Sequence, residues 1–317
     1  MTLSQGETQM TRARALVAAV VSAAFSVQVA FAQSATPLSE ICGDCKVEKV
    51  ASCGAGKFLE GPNFDKDGVL WMVGLMAGEV LKVSKDGQCT VAKTGLNFPG
   101  GTRFDKDGKL IVTTRSALVS FDPQSSEITT LRSLYGTQGF RGLNDVIVDK
   151  QGGIYFTEPN GSSVLRPIGR VYYMPPSRSG ELQLIGDTFA FPNGIVLSPD
   201  ETVLYVGEYA MNRITGVPLS SAGMVNPGRV PWVFATMAGG IGPDGMLVDS
   251  KGNVYTAHYM AGEVVVHDRF GFQIGVIKLP SEAGMGSTNI VFRDGYLYIT
   301  EALKNDVWRV PAKIPPT

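Results

Sequence analysis

Four side chains have types and positions suited to chemistry: Glu60, Asn144, Asn193 and Asp244. Each heads a short stretch of the same character. The stretches are Glu60-Gly61-Pro62-Asn63-Phe64-Asp65, Asn144-Asp145-Val146-Ile147-Val148-Asp149, Asn193-Gly194-Ile195-Val196-Leu197-Ser198 and Asp244-Gly245-Met246-Leu247-Val248-Asp249. Two further copies begin at Gly100 and Thr288. Two carboxylates and two amides brought to one point offer four hard oxygen donors. Such a set favours Ca²⁺, with Mg²⁺, Mn²⁺ or Zn²⁺ as other divalent ions it could take. The carboxylates would balance the charge of the ion. Without a cation they would repel each other, and one pKa would rise. Any one of these residues could simply cap a turn at the head of a strand. The case for a common site rests on their equivalent places in a repeat.

The repeat also says what must hold them. The six heads lie 40 to 51 residues apart. After each stretch comes a turn and a second apolar, β-branched or aromatic run: Leu70–Val73, Leu110–Thr113, Ile154–Thr157, Val203–Val206, Val254–Ala257 and Tyr296–Thr300. A third run follows in every copy and a fourth in the first five. Four short strands per repeat at this period predict an all-β fold, a six-bladed β-propeller. The first strands of the blades then line one channel, so equivalent positions face one another across it. The last copy lacks a fourth strand, and Lys46–Ser52, ahead of the first blade, is strand-like. It is expected to complete the last blade, close the ring and remove the exposed sheet edges. Residues 33–317 read as this single domain, with no linker and no helical period longer than a turn or two.

The chain opens with Arg12 and Arg14, an apolar run and Ala30-Phe31-Ala32. This predicts a signal peptide over residues 1–32 and an exported protein, periplasmic or extracellular. No later run is long enough to span a membrane, so no membrane association is expected after cleavage. A formal charge of −1 gives no electrostatic reason to hold nucleic acid. No protein partner is evident. The four cysteines, Cys42, Cys45, Cys53 and Cys89, suggest two disulfides in any of three pairings, with a four-thiolate zinc site as the rival. Asp65-Lys66-Asp67-Gly68 and Asp105-Lys106-Asp107-Gly108 imitate the start of an EF-hand loop but lack its closing Glu and read as hairpin turns. No nucleophile-elbow or dinucleotide motif is present.

Leu59-Glu60-Gly61-Pro62, Leu143-Asn144-Asp145, Phe191-Pro192-Asn193-Gly194-Ile195 and Gly242-Pro243-Asp244-Gly245 resemble the signature sites of the gluconolactonase/regucalcin (senescence marker protein-30) family. Val254-Tyr255-Thr256-Ala257-His258-Tyr259 is similar to its fifth blade. The resemblance implies a six-bladed propeller with one divalent metal in the channel, held by Glu60, Asn144, Asn193 and Asp244. It also implies a hydrolase that opens a lactone ring, with the ion polarising the carbonyl and Asp244 as general base. An organophosphate or aryl-ester substrate on the same site, or a non-catalytic ligand-binding propeller, are the other readings. Animal members carry an arginine two residues before the first metal-site asparagine. Here that position is Gly142, so Arg141 or Arg103 would have to serve in its place. His258 and Tyr259, at the end of a second strand, are further substrate-binding candidates, although His258 also suits a structural role. Glu158, Glu208 and Glu301 recur at such ends and are expected to be architectural. Asp145, next to Asn144, would point to the opposite face if the strand is regular, and reads as a turn residue or a support behind the metal ligands.

Overall fold

The computed structural model describes residues 37–159 and 161–313, which belong to one compact unit. The signal peptide expected over residues 1–32 lies outside the described residues. Six small antiparallel sheets form six blades, counted 1 to 6 along the chain. Blade 1 runs Leu59–Phe64, Leu70–Gly74, Glu79–Val83 and Cys89–Lys93. The first strands of blades 2 to 6 are Thr102–Phe104, Val146–Val148, Pro192–Leu197, Gly242–Val248 and Ser287–Arg293. Each first strand packs against that of the next blade, and the sixth packs against the first. The chain is therefore a closed six-bladed propeller around one channel.

Ring closure is as the repeat requires. Glu48–Ser52 pairs with Asp306–Pro311 as the outermost strand of blade 6. Cys53, just after that strand, is bonded to Cys89 at the start of the fourth strand of blade 1, so a disulfide straddles the seam. The second bridge joins Cys42 to Cys45 beside the short helix Leu38–Cys42.

Apolar side chains on the blade faces are buried between neighbouring blades, giving one cluster per interface. Trp71, Val80, Val112 and Phe121 fill the junction of blades 1 and 2, for example, and Tyr155, Val171, Leu197 and Leu204 that of blades 3 and 4. This is the alternation expected when both faces of each sheet meet a neighbour. The aspartates at the ends of first strands set the hairpins. Asp65 Oδ1 accepts from the backbone N–H of Asp67 and Val69, both at 2.9 Å. Asp105, Asp149 and Asp249 make the same two bonds in their own turns. The sequences that imitate a calcium loop are thus hairpin turns.

Candidate active site

The heads of the first strands do not run as regular β. In blade 3 the N–H of Asn144 donates to Thr157 O at 2.9 Å, and Thr157 N–H donates to Asp145 O at 3.0 Å. Two residues thus oppose one. Register shifts at the same place mark blades 1, 4, 5 and 6. Such a bulge breaks the alternation of side chains, so consecutive residues can turn into the channel.

Two layers result. The upper one holds Glu60, Asn144, Asn193 and Asp244. Glu60, Asn193 and Asp244 are buried, and Asn144 is half-buried. Asn193 donates a side-chain hydrogen bond to Asp244. The Asn144 amide has no hydrogen-bond partner among the described residues. Directly below lie Asp145 and Asn289, from opposite blades, hydrogen-bonded to each other. Asn289 Nδ2 also approaches Glu60 Oε2 at 3.5 Å. Glycines make room for this second layer. A Cβ on Gly245 would come within 2.1 Å of the Asn289 amide, and one on Gly101 within 2.7 Å of Asp145 Cα. Asp145 is therefore in the channel, 3% exposed, and not on the far face of its strand as regular alternation predicted.

Threonines near the ends of second strands, and Thr288 at the head of blade 6, fasten these heads from blade to blade. Thr157 Oγ1 accepts from Asp145 N–H and donates to Asn193 O, each at 2.9 Å. Thr113 Oγ1 bonds Asn144 O in the same way, and Thr288 Oγ1 donates to Leu59 O at 2.7 Å. The oxygens of the upper layer are set by a bonded ring of backbone rather than by flexible loops.

All three carboxyl groups here have raised pKa values. Burial is the leading cause for each. Glu60 is raised further by Asp145, and Asp244 by Glu60 and then Asp145. Asp145 is pushed up to about 6, with Arg103 pulling the other way. An all-oxygen donor set, two carboxylates short of a counter-charge and an unpartnered amide fit a hard divalent cation. Among the described residues no cluster of three His, Cys, Asp or Glu side chains has the arrangement of a metal site. The candidate set depends on the two amides.

The other sequence candidates fall in three different places. Tyr259 stands at the channel mouth, where Asp244, Glu301 and Glu60 add to burial in raising its pKa. It belongs to an aromatic arc that runs from Phe191 to Tyr209 at 5.2 Å, then to Tyr259 and on to Phe58 at 6.1 Å each. His258 is fully buried. Its Nδ1 lies 3.2 Å from Glu263 Oε1 and its Nε2 3.1 Å from Asn212 Oδ1, so neither ring nitrogen is left for a substrate. Arg103 lies below the Asp145–Asn289 layer. It lines a separate chamber of about 350 Å³ with Asn63, Val148, Leu197 and Val248, and its Nε is buried without a partner. Arg141 is exposed on the lead-in to blade 3, and its backbone N–H donates to Glu158 Oε1 at 2.9 Å. Glu158, Glu208 and Glu301 each accept backbone N–H groups of such lead-in loops, those of Arg141, Ala190 and Gly286.

Sequence reasoning missed Asn289, Tyr209, Phe58 and Phe191. A signal for the phenylalanines was there: Phe58, Phe98 and Phe191 each stand two residues before a strand head. All three have left-handed φ, of 57°, 48° and 58°, uncommon for a bulky residue and characteristic of built sites.

Residues 58–303 match the SMP-30/Gluconolactonase/LRE-like region. The chain belongs to that family. Among its relatives is the lactonase drp35 of Staphylococcus epidermidis, 31% identical over 236 residues, which span 71% of this chain and 70% of that protein. The Staphylococcus aureus lactonase drp35 is 32% identical over 241 residues, 71% of either chain. Among solved structures, a gluconolactonase of Xanthomonas campestris superposes with a TM-score of 0.75 at 25% identity, covering 88% of this chain and 96% of its own. A calcium-binding regucalcin of Agrobacterium tumefaciens shares the fold, with a TM-score of 0.73 at 20% identity over 85% and 95% of the two chains.

Proposed function

We propose that this family member is a divalent-metal-dependent lactonase, with Glu60, Asn144, Asn193 and Asp244 as the metal ligands. The observation that carries the reading is a pair of buried, mutually interacting carboxylates, Glu60 and Asp244, with Asn193 bonded to Asp244; Asn144 joins them by its equivalent place in the repeat. That its relatives are lactonases supports the substrate class. Ca²⁺ suits the all-oxygen set best, and a cation there would supply positive charge to the lactone carbonyl oxygen.

The chain's own groups do the rest. Asp244 takes a proton from the attacking water as its oxygen bonds to the carbonyl carbon. Burial and the neighbouring carboxylates raise its proton affinity, and a cation held beside it would draw that affinity back down toward a working base. As the ring C–O bond breaks, Asp244 returns the proton to the ring oxygen, and lactone plus water becomes a hydroxy acid. Asn193 orients the Asp244 carboxylate through its hydrogen bond. Phe58, Phe191, Tyr209 and Tyr259 offer apolar ring faces to the body of the lactone.

We also infer that the protein works outside the cytoplasm. Two formed disulfides in a chain without free cysteines among the described residues support this, as does the predicted signal peptide.

The test is hydrolysis of a panel followed by pH indicator: gluconolactone, an aliphatic γ-lactone, dihydrocoumarin and one aryl ester. It is run before and after EDTA, with single metals restored. Lactone turnover lost to EDTA and regained with one ion is the expected result. Turnover of the aryl ester alone would move the substrate class. No turnover and no bound metal would leave a ligand-binding propeller.

A further inference from the structure

Blade 3 carries a second feature at the same end of the channel. Antiparallel strands alternate direction, so the lead-in to a first strand and the loop between second and third strands lie at one end of a blade. In blade 3 these two segments and the start of the third strand supply Arg141, Arg166 and Arg170. All three line one cavity of about 230 Å³. The one carboxylate in its wall, Glu158, is occupied. Its Oε1 accepts from Arg141 N–H at 2.9 Å and its Oε2 from Tyr172 O–H at 2.7 Å. Asp187 faces Arg170 from the fourth strand and is exposed. The Arg141 and Arg166 guanidinium groups have no partner among the described residues, and Arg170 Nη1 reaches only Tyr172 Oη, at 3.4 Å.

The backbone beneath these groups is fixed. Arg141 is held by Glu158. Arg166 sits in a turn in which its N–H donates to Ser163 O at 3.2 Å and its carbonyl accepts from Ser163 N–H at 3.0 Å. Arg170 is in a strand and pairs with Glu158 in register. Glu158 and the exposed Asp187 offset Arg170 in part, and the Arg141 and Arg166 guanidiniums at the same small cavity leave a net positive basin for an anion. The basin is near the chemistry. Arg141 is three residues from Asn144, a stretch of chain that spans at most about 10 Å. The aromatic arc occupies other parts of the rim, on blades 4, 5 and 1.

We propose that the preferred substrate is a lactone bearing a carboxylate, with that carboxylate held by Arg141, Arg166 and Arg170 while the ring is presented to Asp244. This rests on the lactonase reading and narrows it to lactones derived from dicarboxylic acids. Paired guanidiniums match the two oxygens of a carboxylate and would fix one end of the ring, as a neutral sugar lactone would not require. The ring-opened product is then a dianion.

The experiment compares 5-oxotetrahydrofuran-2-carboxylate with its neutral carboxamide on the full protein. The wild type is expected to favour the carboxylate in kcat/KM by about tenfold or more, carried by KM, and to lose part of that preference in high salt. Arg166→Gln and Arg141→Gln should each bring the ratio of the two substrates toward one. A wild-type ratio near one, or a ratio that neither variant moves, would overturn the proposal while leaving lactone hydrolysis in place. If neither lactone is opened, calorimetry with 2-hydroxyglutarate decides independently of turnover. Binding weakened about tenfold in the Arg141→Gln/Arg166→Gln double variant upholds the anion site. Equal binding, or none, sinks it.

Discussion

Asp244 and Glu60 owe their properties to position rather than type. In water either would be an ordinary carboxylate. In the channel they are buried and face each other and Asp145, and proton affinity rises. Asp244→Asn keeps the shape and the bond from Asn193 but removes the proposed base, along with one of the two carboxylates proposed for the ion. A fall in kcat of about a thousandfold is expected, within the usual range for a lost general base. Glu60→Gln leaves the proposed base in place and should lower metal retention, read as metal content after dialysis, because it removes half the counter-charge of the proposed ion. The glycines below are equally specific. Gly245→Ala places a methyl group on the Asn289 amide and should destabilise by about 1–3 kcal/mol through overpacking. Denaturant midpoints would measure this, and turnover should fall with it because Asn289 bonds both Glu60 and Asp145.

The strand is the scale at which Asp145 departs from regular alternation, while keeping the supporting place expected of it. Strict alternation sends neighbours to opposite faces. The bulge at each head suspends that rule for the residues that matter, because Asn144 and Asp145 both oppose Thr157. Nothing in Asn144-Asp145-Val146 announces a bulge, since its cause is pairing with a strand a dozen residues on. On the third strand of blade 5, His267 is 1% exposed with both ring nitrogens unpartnered. Burial lowers its pKa to about 4, against a smaller opposing pull from Asp268. The unfolded chain therefore binds the extra proton first as pH falls. Stability should be full above about 6.5 and decline between there and about 4, by up to roughly 3 kcal/mol from this residue. Thermal melts across that range should show the decline, and His267→Leu should flatten its share of it.

A ring of blades is only as strong as its seam. The strand Glu48–Ser52 reaches from before blade 1 to the outside of blade 6, and Cys53–Cys89 ties its end to blade 1. That bridge joins cysteines 36 positions apart, and the chain-entropy estimate for such a loop is about 4 kcal/mol. The Cys53→Ser/Cys89→Ser variant should melt well below the wild type. Cys42→Ser/Cys45→Ser, which opens a bridge of sequence separation 3, should lose much less. A result in which the second variant loses more would place the vulnerable seam elsewhere.

The sequence by itself determined the six-fold repeat, the closing strand and the equivalence of Glu60, Asn144, Asn193 and Asp244. These follow from periodicity, which is local and survives in one dimension. It also carried the family resemblance, because the strand-head motifs are contiguous. Tertiary structure alone decided what lies between and around those heads. It paired Asp145 with Asn289 across the channel, closed both nitrogens of His258 and put Arg103 in a chamber on the far side. It also gathered Arg141, Arg166 and Arg170 around one cavity. Each of these depends on contacts between residues of different strands or blades, or on a bulge that redirects a side chain by a single position. Sequence spacing counts residues along the chain. It does not record which face a residue turns to once a strand departs from regular pairing.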